Sequence, residues 1–406
     1  MPDQYRDRCR VVGGVDTHRD AHVAAALDSA GRLLGTASFP ATRAGCGELL
    51  GWLRAWGDVE CVGVEGTSSY GAGVSRFLAG EGVAVVEVLR PGRRSRRGDK
   101  NDSADAVAAA RSVLSGEATA TPKSADGPVE AIRALNIARR SAVKARTSAM
   151  NQIKGLLVTA SEQVTAPLRG LSSASLIKAC SRLRPDPSGD EAAAGAKRSL
   201  RTLSRRWQSL SAETAELDAE IARLCAAAAP ALMAAPGVGP QVAAALLVTA
   251  GDNPQRLRSE ASFAALCGVS PVEASSGRTV RHRLNRGGDR QANNALWRIA
   301  TVRLRSDERT QAYAARRRAQ GKTDREILRC LKRHIAREIH RLLVDPPEVP
   351  HGEHLRETRV EHGITLEQAA AALGASSPKI SALERGLRHD RDLAERYRRH
   401  LDQIAA

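Results

Sequence analysis

Aromatic side chains make up only 3% of this 406-residue chain, which argues against a platform on which successive bases of a single strand stack. Cysteine is sparse and scattered: Cys9, Cys46, Cys61, Cys180, Cys225, Cys267 and Cys330 form no CxxC pair. An odd number at such spacing favours buried thiols over a disulfide framework or a thiolate metal site. No apolar run is long enough to span a bilayer or to serve as a signal sequence, and the opening MPDQYRDRCR is polar and charged. A cytoplasmic protein with no membrane partner is therefore expected. Acidic residues are the minority, 45 against 62 Lys and Arg, for a formal charge of +17. Such an excess attracts polyanions, and release of condensed counterions favours nucleic acid as the partner, with arginine on the backbone as the expected contact. An anionic membrane surface is the alternative, but the chain shows neither a lipidation signal nor an amphipathic terminal helix with apolar aromatics.

What is present divides into four stretches. Over residues 10–118 the strings VVGGVDTH, HVAAALDSAG and RLLGTASFP read as three strands in a meander, turning at THRD and DSAG. A helix around GCGELLGWLRAWG, a strand ECVGVEGT, a helix YGAGVSRFLAGEG, a strand AVVEVL and a helix DSADAVAAARSVLSG follow. Three strands and then alternating helices and strands match a ribonuclease-H-like mixed α/β sheet. Residues 128–227 are rich in Ala, Leu, Arg and Glu at helical spacing, broken near 184–195, and predict two long helices. A coiled-coil arm and an ordinary bundle fit that spacing equally. A mainly helical domain is expected over 229–345, and the proline-broken DPPEVPHGE separates it from a small module at 353–401.

Asp16 ends the first expected strand and Glu65 the fourth, so a sheet of this kind sets the two carboxylates side by side. Asp102 and Asp105, three apart at the start of the last helix of this domain, share one helix face near its positive end. Four converging carboxylates repel one another unless a divalent cation, Mg²⁺ or Mn²⁺, lies between them. Each acid taken singly is also an ordinary turn or cap residue, and Asp102 is a natural N-cap. His18 and His22 stand four apart, but in strand and turn rather than helix, where that spacing does not make a metal pair.

Further along, LMAAPGVGPQVAAALLVTAGD places Gly237 and Gly239 in a turn between two apolar helices. That is either a helix-hairpin-helix whose amides approach a phosphate or a plain helical turn. The loop VEASSGRTVRHRLNRGGDR surrounds Ser275 and Ser276 with Arg278, Arg281, Arg283 and Arg286. Most serines in such loops are solvated; a nucleophilic one needs a base or a metal beside it. Two basic runs, Arg90, Arg93, Arg94, Arg96, Arg97 and Lys100, and the helical CLKRHIAREIHRLL, suit either DNA or RNA backbone, or a solvated face. In the tail, Thr365 and Gln368 form a capping box and Gly374 a turn before SSPKISALERG, where Ser377, Lys379 and Ser381 would face a groove, unless the module is a small helical bundle for dimerisation or folding.

The strings GVDTHRDAHV, GVEGTSSYGAG, KNDSADAVAAA, PGVGPQVAAALLVTAGD and LNRGGDRQANNALWR, in this order, resemble the insertion-sequence one-ten family of DEDD transposases over roughly residues 10–345. The resemblance implies a RuvC-like (ribonuclease-H-like) catalytic domain, a helical linker and a mainly α transposase domain. It implies catalytic and metal-binding roles for Asp16, Glu65, Asp102 and Asp105, and a serine nucleophile immediately before a glycine, which is Ser276 before Gly277, with Ser275 as the fallback. It also implies element-end and target DNA as substrates, a structured guide RNA, and a bacterial, nucleoid-associated setting. Because the long helices separate the serine from the carboxylates, Ser276 of one subunit is expected to meet the acidic cluster of another, in a dimer or tetramer. The tail resembles the helix-turn-helix of phage-repressor-type domains and lies beyond the family pattern. A junction-resolving nuclease using metal-activated water, and a non-enzymatic repressor, are the competing readings.

Overall fold

The computed structural model describes residues 10–89, 101–185, 190–278, 282–285, 287–347, 352–384 and 390–405. The basic run from Arg90 to Lys100, and Arg281 and Arg286, lie outside the described residues. The chain divides into two compact units, Met1–Gly127 with Ala250–Arg258, and Pro128–Thr249 with Ser259–Ala406.

In the first unit β1 (Arg10–Thr17), β2 (Ala21–Asp28) and β3 (Leu33–Pro40) precede α1 (Arg43–Trp56), β4 (Asp58–Glu65), α2 (Ala72–Gly80), β5 (Ala84–Val88) and α3 (Asp102–Leu114). The sheet runs β3-β2-β1-β4-β5, with β1 to β3 antiparallel and β4 and β5 parallel to β1. This five-stranded mixed sheet is compatible with the expected ribonuclease-H-like arrangement. The period-2 alternation of strand side chains builds two faces. Val11, Val15, Ala24, Ala26, Val62 and Val64 pack on Leu49, Leu50 and Leu53 of α1 and on Val74 and Leu78 of α2. On the other face Val12 and Leu27 pack against Ala110 of α3, with Cys61, Val107 and Val113 around them.

Turn chemistry fixes the register. Asp28 accepts from the amides of Ala30 (3.0 Å) and Arg32 (2.9 Å), and Gly31 adopts φ 79°. The Arg32 amide, chiefly, holds the Asp28 carboxyl below its ordinary range. Thr42 caps α1 by accepting from Gly45 at 3.1 Å.

Helix α3 sits against the sheet because the strands beneath it carry glycines. A Cβ on Gly14 would fall into the backbone of Ala106 and Ala110, and one on Gly63 would stand 2.6 Å from Val113 Cγ2 and 2.9 Å from the Ala109 carbonyl.

The second unit opens with α4 (Pro128–Thr159), α5 (Glu162–Thr165), α6 (Ser173–Cys180) and α7 (Glu191–Ala228). Helices α4 and α7 pack antiparallel: Arg139 pairs with Asp218, Arg146 reaches Ser211 at 3.3 Å, and Ile153 shares a cluster with Leu200. The sequence predicts a single break near 184–195. Instead α4 stops at Thr159, and the stretch around Pro167 and Gly170 (φ 77°) folds back as α5 and α6, burying Val164, Leu168, Leu176 and Ile177. These apolar residues read as a continuing helix in sequence; Ser172, which caps α6 by accepting from Ser175 at 3.3 Å, marks the restart.

Then come α8 (Pro230–Ala234), α9 (Pro240–Ala250), α10 (Glu260–Leu266), the two-residue strands β6 (Val272–Glu273) and β7 (His282–Arg283), α11 (Arg290–Ser306), α12 (Glu308–Ala319) and α13 (Asp324–Val344). Asp218 also accepts from Gln241 at 2.6 Å, tying the long pair to α9. Four thiols, Cys46, Cys180, Cys225 and Cys267, are buried as expected, and burial pushes those of Cys225 and Cys267 up to about 12.

The tail comprises α14 (Gly352–Glu361), α15 (Leu366–Leu373), α16 (Ser377–Glu384) and α17 (Arg391–Ala405). Thr365 and Gln368 form the expected capping box, and Gly374 closes α15 at φ 61°. Inside lies a polar triad. Arg359 contacts both oxygens of Glu384 (2.7 and 3.1 Å), the Tyr397 hydroxyl donates to Glu384 at 2.7 Å, and Arg359 also donates to the Ile364 carbonyl at 2.6 Å. Desolvation, first, and Glu384, second, raise the Tyr397 phenol, so it remains a donor.

Two stability outcomes follow. Gly14→Ala lowers the unfolding free energy by about 1–3 kcal/mol, because the helix must move off the sheet. Gly51→Ala, whose Cβ meets nothing within 4 Å, does not lower it, and urea denaturation of the two variants checks the contrast. Glu384→Ala leaves a buried guanidinium unpaired and costs about 3–5 kcal/mol. It is read as a lowered midpoint in urea denaturation, while Tyr397→Phe costs about 1 kcal/mol.

Candidate functional site

The register of β1 with β4 pairs Val15 with Val64, so the next positions, Asp16 and Glu65, lie at adjacent strand ends. The Thr17 hydroxyl donates to the Glu65 carbonyl at 2.9 Å and locks those ends together. Alternation puts Asp16 on the face of Gly14, and Glu65 on the face of Gly63, which is the face α3 covers. Both are buried, at 3% and 5% exposure. After Glu65 the chain turns sharply through Gly66 (φ 63°), and Thr67 Oγ1 anchors the loop by donating to Glu87 at 2.8 Å.

On α3, Asp102 and Asp105 occupy the first turn, one turn before the buried Ala106 and Ala109. The cap itself is Asn101, whose side chain accepts from Ser103 at 3.0 Å, so Asp102 is not used as the N-cap and its carboxylate points elsewhere. It lies beside His18. Nε2 of His18 is 3.0 Å from Asp16 Oδ2 and 3.4 Å from Asp102 Oδ1, and the donor atoms of Asp16, His18 and Asp102 all lie within 4.8 Å of one another. Glu65, at the adjacent strand end, and Asp105, in the same helical turn as Asp102, are not members of this cluster.

His18 is the residue that sequence reasoning missed. It lies just beyond β1, where its amide donates to the Ala21 carbonyl at 3.1 Å and closes the turn into β2. The signal was available: in a strand, position i+2 from Asp16 returns to the same face. His22, in contrast, faces the α1–α2 side with the core residues Ala24 and Ala26, and the two histidines do not form a pair.

The donor set fits a divalent cation. Asp16 is almost fully buried, and among the described residues its carboxylate is hydrogen-bonded by His18 alone. Carboxylate oxygens with one imidazole suit Mn²⁺ and, through oxygen and water, Mg²⁺. The positive end of α3 adds stabilisation for the two acids of its first turn.

In the second unit, Gly237 (φ 79°) lies between α8 and α9, and a Cβ there would stand 3.3 Å from the Ile299 carbonyl of α11. Gly239 is open. Arg303 of α11, buried, binds both oxygens of Glu338 on α13 (2.7 and 2.8 Å) and the Pro236 carbonyl (2.8 Å), and so fixes the approach to that turn. Strands β6 and β7 pair Val272 with Arg283 and Glu273 with His282; Ser275, Ser276 and Arg278 project beyond them, exposed. Gly277 follows in the left-handed region at φ 56°.

The base of this hairpin is held tightly. Asn293 donates to the carbonyls of Cys267 and Gly268 (both 3.0 Å) and accepts from Lys332 at 2.8 Å, and Asp289 caps α11 while accepting from Thr249 at 3.0 Å. Asn293 and Asp289 belong to LNRGGDRQANNALWR, and these contacts give them a task that sequence reading did not. Arg283, Arg329, Lys332, Arg333 and His334 line a cavity of ≈ 350 Å³ beside the hairpin. In the tail, Ser377, Lys379 and Ser381 are half-buried on α16, and Lys379 lies 3.6 Å from Asp390.

Residues 13–161 match a family described as "Transposase", of the DEDD IS110 type, and residues 229–315 match one described as "Transposase IS116/IS110/IS902 family". The two stretches together cover more than half of the chain. The first holds all four acids and His18, the second the glycine turn and the serine hairpin; neither reaches the tail. The "Insertion element IS110 uncharacterized 43.6 kDa protein" of Streptomyces coelicolor is 35% identical over 117 residues, 29% of this chain and 29% of that protein. No helix among the described residues is long and apolar enough to cross a membrane.

Metal binding is checked by calorimetric titration with Mn²⁺. Asp16→Asn weakens binding at least about tenfold, and His18→Ala about 10–100-fold. Unchanged affinity in both variants would remove the cluster as a cation site.

Proposed function

Because the chain belongs to the IS110 family of insertion-element transposases, we propose that it cuts and rejoins element-end and target DNA through Ser276, with a divalent cation held by Asp16, Glu65, Asp102 and Asp105. The observation that carries this reading is the convergence of Asp16 and Asp102 on one nitrogen of His18, with Glu65 at the neighbouring strand end. Two carboxylates gathered on one imidazole, one of them almost fully buried, support a cation-holding role. The cation, Mg²⁺ or Mn²⁺, would supply Lewis-acid stabilisation of charge at phosphorus. Three side chains of this chain support a metal-site role: Thr17 positions Glu65, Asn101 frees Asp102 by taking the cap, and His18 orients Asp16.

In the proposed chemistry the Ser276 hydroxyl loses its proton and its oxygen bonds to phosphorus, and one phosphorus–deoxyribose oxygen bond breaks. The freed deoxyribose oxygen takes a proton. Reversal by the hydroxyl of a second strand restores the diester, so no bond energy is lost to water. Exposure of Ser276 at the tip of an anchored hairpin, before a left-handed glycine and beside a basic cavity, supports presentation to a phosphate. Arg278 and Arg283 would hold adjoining phosphates, and the turn at Gly237 and Gly239 would act as a helix-hairpin-helix on the backbone.

The fourfold division at 10–118, 128–227, 229–345 and 353–401 belongs to the same reading. So do a homo-oligomer in which the serine of one copy serves the carboxylates of another, a structured guide RNA drawn to the basic surface, and a cytoplasmic, nucleoid-associated location. The tail would act as a helix-turn-helix with α16 in a groove.

The test is incubation of the full chain with element-end DNA, Mg²⁺ and co-purified RNA, resolved on denaturing gels. A covalent protein–DNA adduct, lost in both Ser276→Ala and Asp16→Ala, is expected. Cleavage that survives Ser276→Ala and releases free ends would instead establish hydrolysis by metal-activated water.

A further inference from the structure

On the side of the sheet away from the acidic cluster lies a cavity of ≈ 500 Å³, walled by the β1–β2 turn, the start of α1 and the length of α2. Its cations come from three elements: Arg19 from the turn, Arg43 from the first position of α1, and Arg76 from α2. Among the described residues Arg43 has no acidic partner. Arg76 donates to the Ala125 carbonyl at 3.2 Å, and Arg19 lies 3.9 Å from its exposed neighbour Asp20, its one acidic contact among the described residues. The one acid in the lining, Glu81, lies 4.0 Å from Arg54. Helix α1 adds its positive end.

Two further features give this cavity the form of a binding site. His22 forms part of its wall at 3% exposure, and its buried Nδ1 has no hydrogen-bond partner among the described residues. A buried ring nitrogen left without a partner is costly, and a ligand or water that reaches the ring removes that cost. At the rim Tyr70 is 58% exposed, in a chain otherwise poor in aromatics. Cys46, Val74 and Phe77 supply apolar lining.

We propose that this cavity binds one nucleotide, its phosphate among Arg19, Arg43, Arg76 and His22 and its base against Tyr70. The volume suits a ligand of that size, a guanidinium cluster suits a phosphate, and an exposed ring stacks on any base. The nucleotide belongs to a nucleic-acid strand rather than to a free pool. His18, which contacts Asp16 and Asp102 on one side, also lines this cavity, so the cavity and the acidic cluster adjoin at this one residue, and a strand held at the cluster would have its neighbouring nucleotide within reach of the cavity. That choice of source rests on the function proposed above; the phosphate-and-base site does not.

The experiment uses the full chain and a short oligodeoxynucleotide carrying 5-iodo-2′-deoxyuridine, which crosslinks under light to a stacked aromatic ring, with the adduct mapped by mass spectrometry. An adduct on Tyr70 is expected, reduced at least tenfold by the Arg43→Ala, Arg76→Ala double variant and also by His22→Gln. Thermal melting confirms that each variant remains folded. The adduct persists in Asp16→Ala, so failure of the metal-site reading does not imitate failure of this one. Millimolar adenosine monophosphate should compete poorly against the oligonucleotide; competition at equal concentration would overturn the strand as source and make the ligand a free nucleotide. An adduct that never forms at Tyr70, or that forms equally in the double arginine variant, would overturn the site itself.

Discussion

The contact on which the first unit depends is that of α3 with two glycines in neighbouring strands. Gly14 and Gly63 remove the side chains that would otherwise separate helix and sheet, so Ala106, Ala109 and Ala110 settle onto bare backbone. That close approach is a packing matter, driven by apolar burial and dispersion. Its effect is electrostatic. One turn further towards the start of the helix, Asp102 is brought down beside His18 and Asp16, against the repulsion of like charges. The stability of the sheet–helix layer thus offsets the cost of gathering acids, a cost that each carboxylate alone would avoid by staying in water.

Much of this unit was legible because strand periodicity and turn residues carry it. The meander, the turn at Asp28 and Gly31, and the placement of Asp16 and Glu65 at adjacent strand ends all follow from local pattern. His18 was passed over because it was weighed only as a partner for His22, a pair that strand and turn rule out, and not against Asp16 two positions before it. Asp102 was open to the wrong task for a related reason: Asn101, one residue earlier, competes for the same cap, and only geometry shows which side chain bonds the Ser103 amide.

The second unit was less legible, for a physical cause. Helical spacing says that a segment forms a helix but not where it turns back, and α5 and α6 carry the same apolar residues as the helices they interrupt. The long-range polar contacts were hidden for another reason. Arg303 with Glu338 and Pro236, Asn293 with Cys267, Gly268 and Lys332, and Asp218 with Arg139 and Gln241 each join residues 23 to 79 positions apart. No local rule pairs them. The Arg303 and Asn293 contacts brace the helices behind the hairpin that carries Ser275 and Ser276, and those of Asp218 tie the long helix pair to α9.

The tail's buried Arg359–Glu384–Tyr397 triad sits within a core of its own, made by Leu355, Ala369, Leu373, Ile380, Leu383, Leu393 and Leu401. Both the described core and the triad are built from residues 355–401 alone. A substitution there is therefore felt first among the tail's own helices, because the groups it leaves without a partner had that partner in the same short stretch of chain.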